Sequence, residues 1–401
     1  MKGIRKHTIA GALPDDWDAA LIKNRCAVVR GSSPRPAGDP RFFNGDFLPW
    51  ITVADVTGHP GLYLSSTRSL LTEAGAKHTR TIQPGTLIIS NSGATLGVPK
   101  ITTITAGAND GIAMFIEPKG LSKEFMYFFL ESKTDYFRNE LAPGVGQPNL
   151  NTELLGDVAI PIPPMHEQIA LANVLMEWGS AIEKTKQLIT AKSRHLDWLR
   201  EHSLARPGVA TRTKLKSVTH ESTARNGKYL GRDAIMAVTK SVGMRPMREE
   251  TIAASIDRYK LVRPKAFAYN PMRLNIGSIA MSSFDRDVLV SPDYVVFECD
   301  KSKLLPGYLE HLRHTRLWGR HFEAAGSGGV RIRIYYDDLG AFAFPLPPLA
   351  QQLRVLVALD AAKAEIQTLE SYLAALQQQK RGLMQKLLTG QWRIKPSSSK
   401  E

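Results

Sequence analysis

Two stretches of this chain carry apolar residues at alternating steps of three and four. In the C-terminal stretch they are Leu359, Ala362, Ile366, Leu369, Leu373, Leu376, Leu383 and Leu387, with Lys380 interrupting the series. In the middle of the chain they are Leu171, Leu175, Trp178, Ile182, Ile189, Leu196 and Leu199, with Thr185 and Lys192 as the weak points. This spacing places one side chain per turn or so on a narrow stripe, the seam of a coiled coil. Both stretches therefore predict helices of about 40 residues, long for a globular domain. At ~1.5 Å rise per residue each would span roughly 60 Å and act as a spacer. The simplest partner for each stripe is the other, with Leu175, Ile182, Ile189 and Leu196 facing Leu359, Ile366, Leu373 and Leu383.

The two helices belong to an internal repeat. Gly156–Arg206 aligns without a gap on Gly340–Gly390 at an offset of 184 residues. Identical pairs include Pro161/Pro345, Pro163/Pro347, Pro164/Pro348, Gln168/Gln352, Ile182/Ile366, Leu199/Leu383 and Leu204/Leu388. Each copy runs from a short apolar strand through a P-x-P-P turn into the helix. Proline cannot donate to a ladder and biases its predecessor away from helix, so the turn separates the two elements. Each helix ends near a glycine, Gly208 behind Pro207 and Gly390.

The segments before the helices alternate strands with turns. Leu87–Ser90 follows Gln83-Pro84-Gly85, and Ala266–Tyr269 follows Arg263-Pro264-Lys265. Ile112–Ile116 and Tyr294–Glu298 come next, leading into amphipathic helices at Lys123–Leu130 and Pro306–Leu312. Glycine-rich loops follow, Pro143–Leu150 and Gly326–Ile332. The order is α+β domain, helix, α+β domain, helix. The boundaries fall at 1–160, 161–206, 207–344 and 345–392, with a flexible tail at 393–401.

Length and composition fit this plan. The 401 residues, 43 % apolar and 22 % charged, suffice for two or three cores. No apolar run reaches the ~18–20 residues of a membrane span, and Met1–Pro14 lacks the apolar stretch of a secretory signal. Cys26 and Cys299 lie far apart, which excludes a disulfide framework and a CxxC metal pair. A cytoplasmic protein is the simplest reading.

The net charge of +14 favours an anionic partner. It is unevenly spread: +1 over 1–160, 0 over 161–205, +9 over 206–344 and +4 over 345–401. The second domain gathers Lys240, Arg245, Arg248, Arg258, Lys260, Arg263, Lys265 and Arg273. The first has Arg25, Arg30, Arg35 and Arg41 around the Pro/Gly/Ser-rich loop that begins Gly31-Ser32. Loops on a rigid scaffold are where recognition usually sits, and arginine suits guanine edges and phosphates alike. The candidate DNA contacts are Arg30, Ser32, Arg35, Arg41, Lys240, Arg245, Arg248, Arg258, Lys260 and Arg273.

Catalytic patterns are incomplete. Tyr269-Asn270-Pro271-Met272 echoes the N/D-P-P-Y/F loop of amino-methyltransferases without its second proline or stacking aromatic. Pro292-Asp293 with Glu298-Cys299-Asp300-Lys301 echoes a nuclease P-D…(D/E)-x-K with Cys299 where the acid belongs. There is no phosphate-binding G-x-x-x-x-G-K-[ST] and no zinc spacing among the ten histidines. His166 becomes Ala350 in the second copy, which argues against a catalytic role.

Pro161-Ile162-Pro163-Pro164-Met165-His166-Glu167-Gln168 and Pro345-Leu346-Pro347-Pro348-Leu349-Ala350-Gln351-Gln352 resemble the P-L-P-P-L-x-E-Q that opens the central and distal helices of type I restriction-modification specificity subunits. Lys380–Gly390 resembles that family's C-terminal end. Gln351 departs from the pattern, a difference expected to touch helix capping. The resemblance implies two target-recognition domains, each reading half of a split DNA site, separated by an antiparallel coiled coil. It implies docking of two methyltransferase subunits carrying S-adenosylmethionine, and of motor-nuclease subunits using ATP. No cofactor, metal or catalysis is then expected on this chain. A self-contained DNA methyltransferase or nuclease is the alternative, and a coiled-coil adaptor without DNA binding a third.

Overall fold

The computed structural model describes residues 13–142, 149–240, 243–323 and 333–394. Both Gly-rich loops fall largely outside these ranges. The long helices are Met165–Leu204 and Leu349–Leu387. The chain divides into two compact units, and the division cuts both helices: one unit holds residues up to 187 and from 371 onward, the other 188–370.

In the first unit the strands are β1 (Asp18–Leu21), β2 (Ala27–Arg30), β3 (Phe43–Ile51), β4 (Tyr63–Leu64), β5 (Ser69–Leu71), β6 (Arg80–Ile82), β7 (Leu87–Ser90), β8 (Pro99–Thr102), β9 (Ala106–Ala108), β10 (Ile112–Ile116) and β11 (Ala159–Ile162). One sheet runs β2-β10-β7-β8-β4, a second β5-β3-β9-β6, and β1 pairs with β11. The second unit has β12 (Thr211–Lys214), β13 (Thr219–Ser222), β14 (Met236–Thr239), β15 (Gly243–Pro246), β16 (Lys260–Val262), β17 (Phe267–Tyr269), β18 (Ile279–Met281), β19 (Val288–Val290), β20 (Val295–Cys299) and β21 (Ala343–Leu346). Its main sheet, β13-β20-β17-β18, repeats the order β2-β10-β7-β8, and β12 pairs with β21 as β1 does with β11. The predicted strands at 87–90, 112–116, 266–269 and 294–298 are thus the centres of two matching sheets. Their continuous apolar runs are buried on both faces.

In the first unit Phe125 to Leu130, on the Lys123–Ser132 helix, are all buried against this sheet. The same cluster takes Leu171 and Leu175 from the start of the central helix and Met384, Leu387 and Leu388 from the end of the distal one. In the second unit, Tyr308, Leu309 and Leu312 of the Pro306–Leu312 helix share a core with Leu196 and Leu204, late in the central helix, and Leu359 and Ile366, early in the distal one. Within either unit the beginning of one long helix meets the end of the other, so they run antiparallel.

The polar breaks in the seams have partners. Lys192 pairs with Glu365 at 2.7 Å. Lys380 pairs with Glu131 at 2.8 Å and lies 5.2 Å from the centre of the Phe128 ring. Buried Thr185 donates to the Ala181 carbonyl one turn back. Leu175, Leu196, Leu359 and Ile366 are buried, whereas Ile182, Ile189, Leu373 and Leu383 are half-buried. At the C-terminal end Met384 and Leu387 take the deep positions beside Leu383.

Gln168 and Gln352 carry the same bracket. Gln168 Nε2 donates to the carbonyls of Gly120 and Pro163, and its Oε1 accepts from Ser122 N–H. Gln352 Nε2 donates to the carbonyls of Lys303 and Pro347, and its Oε1 accepts from Leu305 N–H. Each amide is buried with both N–H groups and its oxygen engaged, so each long helix is locked to the residue just before its domain's helix. The neighbouring Glu167/Gln351 difference proves not to concern capping. Glu167 is buried and accepts from Trp17 Nε1 at 2.7 Å and from Arg393 Nε at 2.6 Å. Arg393 also forks onto Asp16 at 2.7 and 2.9 Å. The start of the tail expected to be flexible is therefore fixed at Arg393. Gly390 (φ +71) turns the chain there, and a Cβ on it would meet Pro14 at 2.4 Å.

Gln168→Glu would set a carboxylate against two carbonyl oxygens. Only its protonated form could donate, so its folded-state pKa rises above the unfolded ~4.3. This variant should be most nearly native below that value and lose stability as pH climbs through the raised pKa. Thermal melts of the variant and wild type from pH 4 to 8 read this directly. Arg393→Ala leaves Glu167 buried with one donor and should cost about 1–3 kcal/mol, measured by denaturant unfolding.

Candidate nucleic-acid interface

In the first unit β2 and β7 end, and β10 begins, at the same end of the main sheet, because β10 is antiparallel to both. The loops leaving that end are stitched together. Gly31 N–H donates to the Ile112 carbonyl and Ser32 N–H to the Ala108 carbonyl, both at 2.9 Å. A Cβ at Gly31 would lie 2.2 Å from the Asn109 carbonyl oxygen, so this close approach needs glycine. Ser33 Oγ donates to Asp110 Oδ1 at 2.7 Å and accepts from Asn109 Nδ2 at 3.0 Å. Arg30 Nε donates to the Asp110 carbonyl, and Arg35 Nη2 reaches Asp110 Oδ2 at 3.4 Å. Thr79 Oγ1 holds the Ser32 carbonyl at 2.8 Å.

The loop after β7 joins this cluster. Asn91 N–H donates to the Gly111 carbonyl, and Leu150 N–H donates to the Asn91 carbonyl. Ser92 bridges Asn149, the last residues of the Gly-rich segment. Asn91 is fully buried, and its side-chain oxygen and nitrogen have no partner among the described residues.

Of the four arginines expected in the first domain, the structure brings Arg30 and Arg35 together, with exposed Ser32 between them. Arg41 is engaged elsewhere: its guanidinium grips Asp39 at 2.7–3.1 Å. Hydrogen bonding to Asp39 raises the Arg41 pKa and depresses that of Asp39. Arg25 precedes β2, at the opposite end of the strand from Arg30, where its carbonyl accepts from Lys119.

In the second unit the matching end is marked by Ser222, Tyr269 and Val295. Beyond β13, Arg225 forms an isolated bridge with Lys260, and its Nη1 donates to the Arg258 carbonyl at 2.8 Å. Burial lowers the Lys260 pKa; Glu221 and Asp293 pull it up, and Arg225 pushes it down. Beyond β17, the Asn270–Gly277 loop carries Arg273, exposed Met272 and exposed Ile276. The Lys240 stem runs alongside Gly277, 3.3–3.7 Å from where a Cβ would stand. Lys240 and the Arg273 loop are therefore neighbours, and Arg245 lies on the hairpin below Lys240. Ile334 N–H donates to the Pro271 carbonyl, so the chain leaving the second Gly-rich loop returns here. Arg248 opens the Glu249–Thr251 turn, where its carbonyl accepts from Thr251 N–H and Oγ1. Arg263 and Lys265 flank the turn before β17, away from Arg273, with Arg263 paired to Glu298.

The catalytic echoes do not assemble. Glu298 is held by Arg263, Cys299 is buried with its thiol pushed up to about 12 by burial, and Asn270 Oδ1 accepts from Met272 N–H. Among the described residues no group of three or more His, Cys, Asp or Glu could hold a metal ion, and no helix is long and apolar enough to cross a membrane.

Residues 14–191 match the family described as the type I restriction modification DNA specificity domain. The match covers 178 of the 401 residues. The MjaIX type I restriction enzyme specificity subunit of Methanocaldococcus jannaschii is 30 % identical over 185 residues, 45 % of this chain and 42 % of that protein. The whole chain takes the fold of the type I specificity subunits. The S subunit of M. genitalium superposes with a TM-score of 0.57 at 11 % identity, covering 95 % of this chain and 99 % of that one. A chain from a type I R-M system, described for its complex assembly and conformational transition, superposes with a TM-score of 0.56 at 14 % identity over 95 % and 99 %.

Sequence reasoning missed Ser33, Asn91, Asn109, Asp110 and Arg225 in these loops. The Asn109-Asp110-Gly111 turn signal between two apolar strands could have flagged Asp110. Gly31→Ala should force the Arg30–Arg35 loop off the 108–110 backbone. Chemical-shift changes should then spread to Ser33 and Asp110 while β7 and β10 amides keep their exchange protection; unchanged Ser33 shifts would contradict the seating described.

Proposed function

We propose that this chain is the DNA-reading specificity subunit of a type I restriction-modification complex, with one unit reading each half of a split target. The observation that carries this reading is the recurrence of one construction. Both units share the same sheet order and the same glutamine bracket, and basic loops gather at the same end of each main sheet. In this reading the long helices set the gap between half-sites and dock the methyltransferase subunits, as expected of a specificity subunit. Exposed apolar side chains support docking: Met165 and Ile169 at the start of the central helix, and Leu349 and Leu353 at the corresponding positions of the distal one. Two equivalent apolar patches suit two copies of one partner. Methyl transfer and cleavage then belong to the partners, which bring S-adenosylmethionine and ATP, and this chain does no chemistry.

Exchanging residues 1–160 for the first domain of another specificity subunit, in the assembled complex, should change one half of the methylated sequence and leave the other half and the gap intact. Methylome sequencing of the host reads the result, and a change in both halves contradicts one domain per half-site. The chain alone, with DNA and S-adenosylmethionine, should transfer no methyl group.

A further inference from the structure

Arg41 and Arg35 lie six residues apart and meet their carboxylates differently. Arg41 is gripped by Asp39 through three short contacts. Arg35 leans on Asp110 through a single contact of 3.4 Å, although both arginine side chains are 73 % exposed. Asp110 itself is fixed: Ser33 Oγ donates to its other oxygen, Asn109 Nδ2 orients Ser33, and Asp110 N–H donates to Ser33 Oγ at 3.3 Å. A rigid carboxylate thus stands behind an otherwise extended guanidinium, with Arg30 Nε on the same residue's carbonyl.

That arrangement is poor for holding a phosphate. The Asp110 charge repels an incoming phosphate and cancels part of the attraction Arg35 offers. It is well suited to a neutral pair of acceptors, because the carboxylate limits the fork's orientations without competing for the outward N–H groups. The base edge with two acceptors in register for an arginine fork is guanine, through O6 and N7 in the major groove. We propose that Arg35, buttressed by Asp110, reads a guanine in the half-site assigned to the first unit, and that Asp110 is a positioning residue trading affinity for discrimination. This rests on the DNA-reading function proposed above.

The test uses the full chain and a pool of duplex DNA with randomised cores, sequencing the bound fraction at several salt concentrations. Wild type should select guanine at one fixed position of one half-site. Arg35→Ala should erase that preference, a loss of about 5- to 150-fold at that position, with other positions unchanged. Arg35→Lys keeps the charge but not the fork, and should erase it too while leaving the salt slope intact. Asp110→Asn keeps an acceptor for Ser33. It should bind the unselected pool several-fold more tightly, steepen the salt slope by about one contact, and flatten the guanine preference. In the Arg35→Ala background Asp110→Asn should have no further effect on base preference, an outcome that a purely structural role for Asp110 would not give. If Arg35→Ala weakens every sequence alike and lowers the salt slope by about one, Arg35 is a phosphate contact and the proposal is wrong. It also fails if the guanine preference survives Asp110→Asn. A wild-type chain that binds the pool without sequence preference overturns the DNA-reading function as well, which separates the two failures.

Discussion

A buried primary amide has four hydrogen-bonding positions, and each one left unmet costs stability. Gln168 and Gln352 each fill three with backbone groups that belong to neither a helix nor a ladder. Each amide ties the end of a P-x-P-P turn, the first turn of a long helix and the residue preceding a domain helix. No other side chain type of this length presents one acceptor and two donors in a plane. Once this bracket is closed, the direction in which the long helix leaves the sheet is set. So is the seat of Lys123–Ser132 or Pro306–Leu312 against the same sheet. The loops at the far end of the strands inherit their positions from that frame.

The two copies differ at the junction between the end of a long helix and the first strand of the unit. In the second unit the central helix runs through residues 205–210 into β12 without a break. In the first unit the equivalent junction joins the end of the distal helix to the start of β1, and no peptide bond crosses it. The contacts among Asp16, Trp17, Glu167 and Arg393 stand where the covalent link would be. Counting from the paired helices, Arg393 corresponds to Val209, and counting from the paired strands, so does Asp16. Two oppositely charged residues thus meet at a position where the other copy has one apolar residue. This explains why Glu167 and Gln351 differ in an otherwise matched motif: a buried carboxylate is tolerated only where an arginine reaches it.

Much of this was legible in the sequence because it rests on periodicity. The 184-residue offset, the helix stripes and the apolar strands at 87–90, 112–116, 266–269 and 294–298 are repeated patterns that survive any one substitution. The candidate interface was legible only in part. Arg30 and Arg35 stood out by charge, but Arg41 stands out equally, and only the geometry shows that Asp39 occupies it. Arg25 is five residues from Arg30 and lies at the other end of a four-residue strand. Asp110 carries only the turn signal of Asn109-Asp110-Gly111, because its partner Ser33 lies 77 residues away, and Arg225 carries none, because the Arg258 carbonyl it reaches is 33 residues on. Thr185, Lys192 and Lys380 looked like flaws in a seam, yet each is satisfied by a backbone carbonyl or a carboxylate that sequence spacing does not reveal.

The charge asymmetry of +1 against +9 takes on a sharper meaning once pairing is known. In the first unit three arginines, Arg30 not among them, lean on acids of their own: Arg41 on Asp39, Arg35 on Asp110, and Arg68 on Asp55 at 3.9 Å. Their charge is internally balanced, so what remains to offer a duplex is the shape and direction of N–H groups. In the second unit Arg232, Arg263 and Arg286 have acidic partners, while Lys240, Arg245 and Arg273 form no ion pair among the described residues. Exposed, unbalanced cations act on phosphates over about a Debye length, with little regard to sequence. A division of labour follows from that difference alone. On the proposed DNA-reading function, the second unit would supply most of the long-range attraction, and the first would need less because its neighbour holds the duplex nearby. Discrimination costs affinity, and two units reading as proposed would carry the two demands separately.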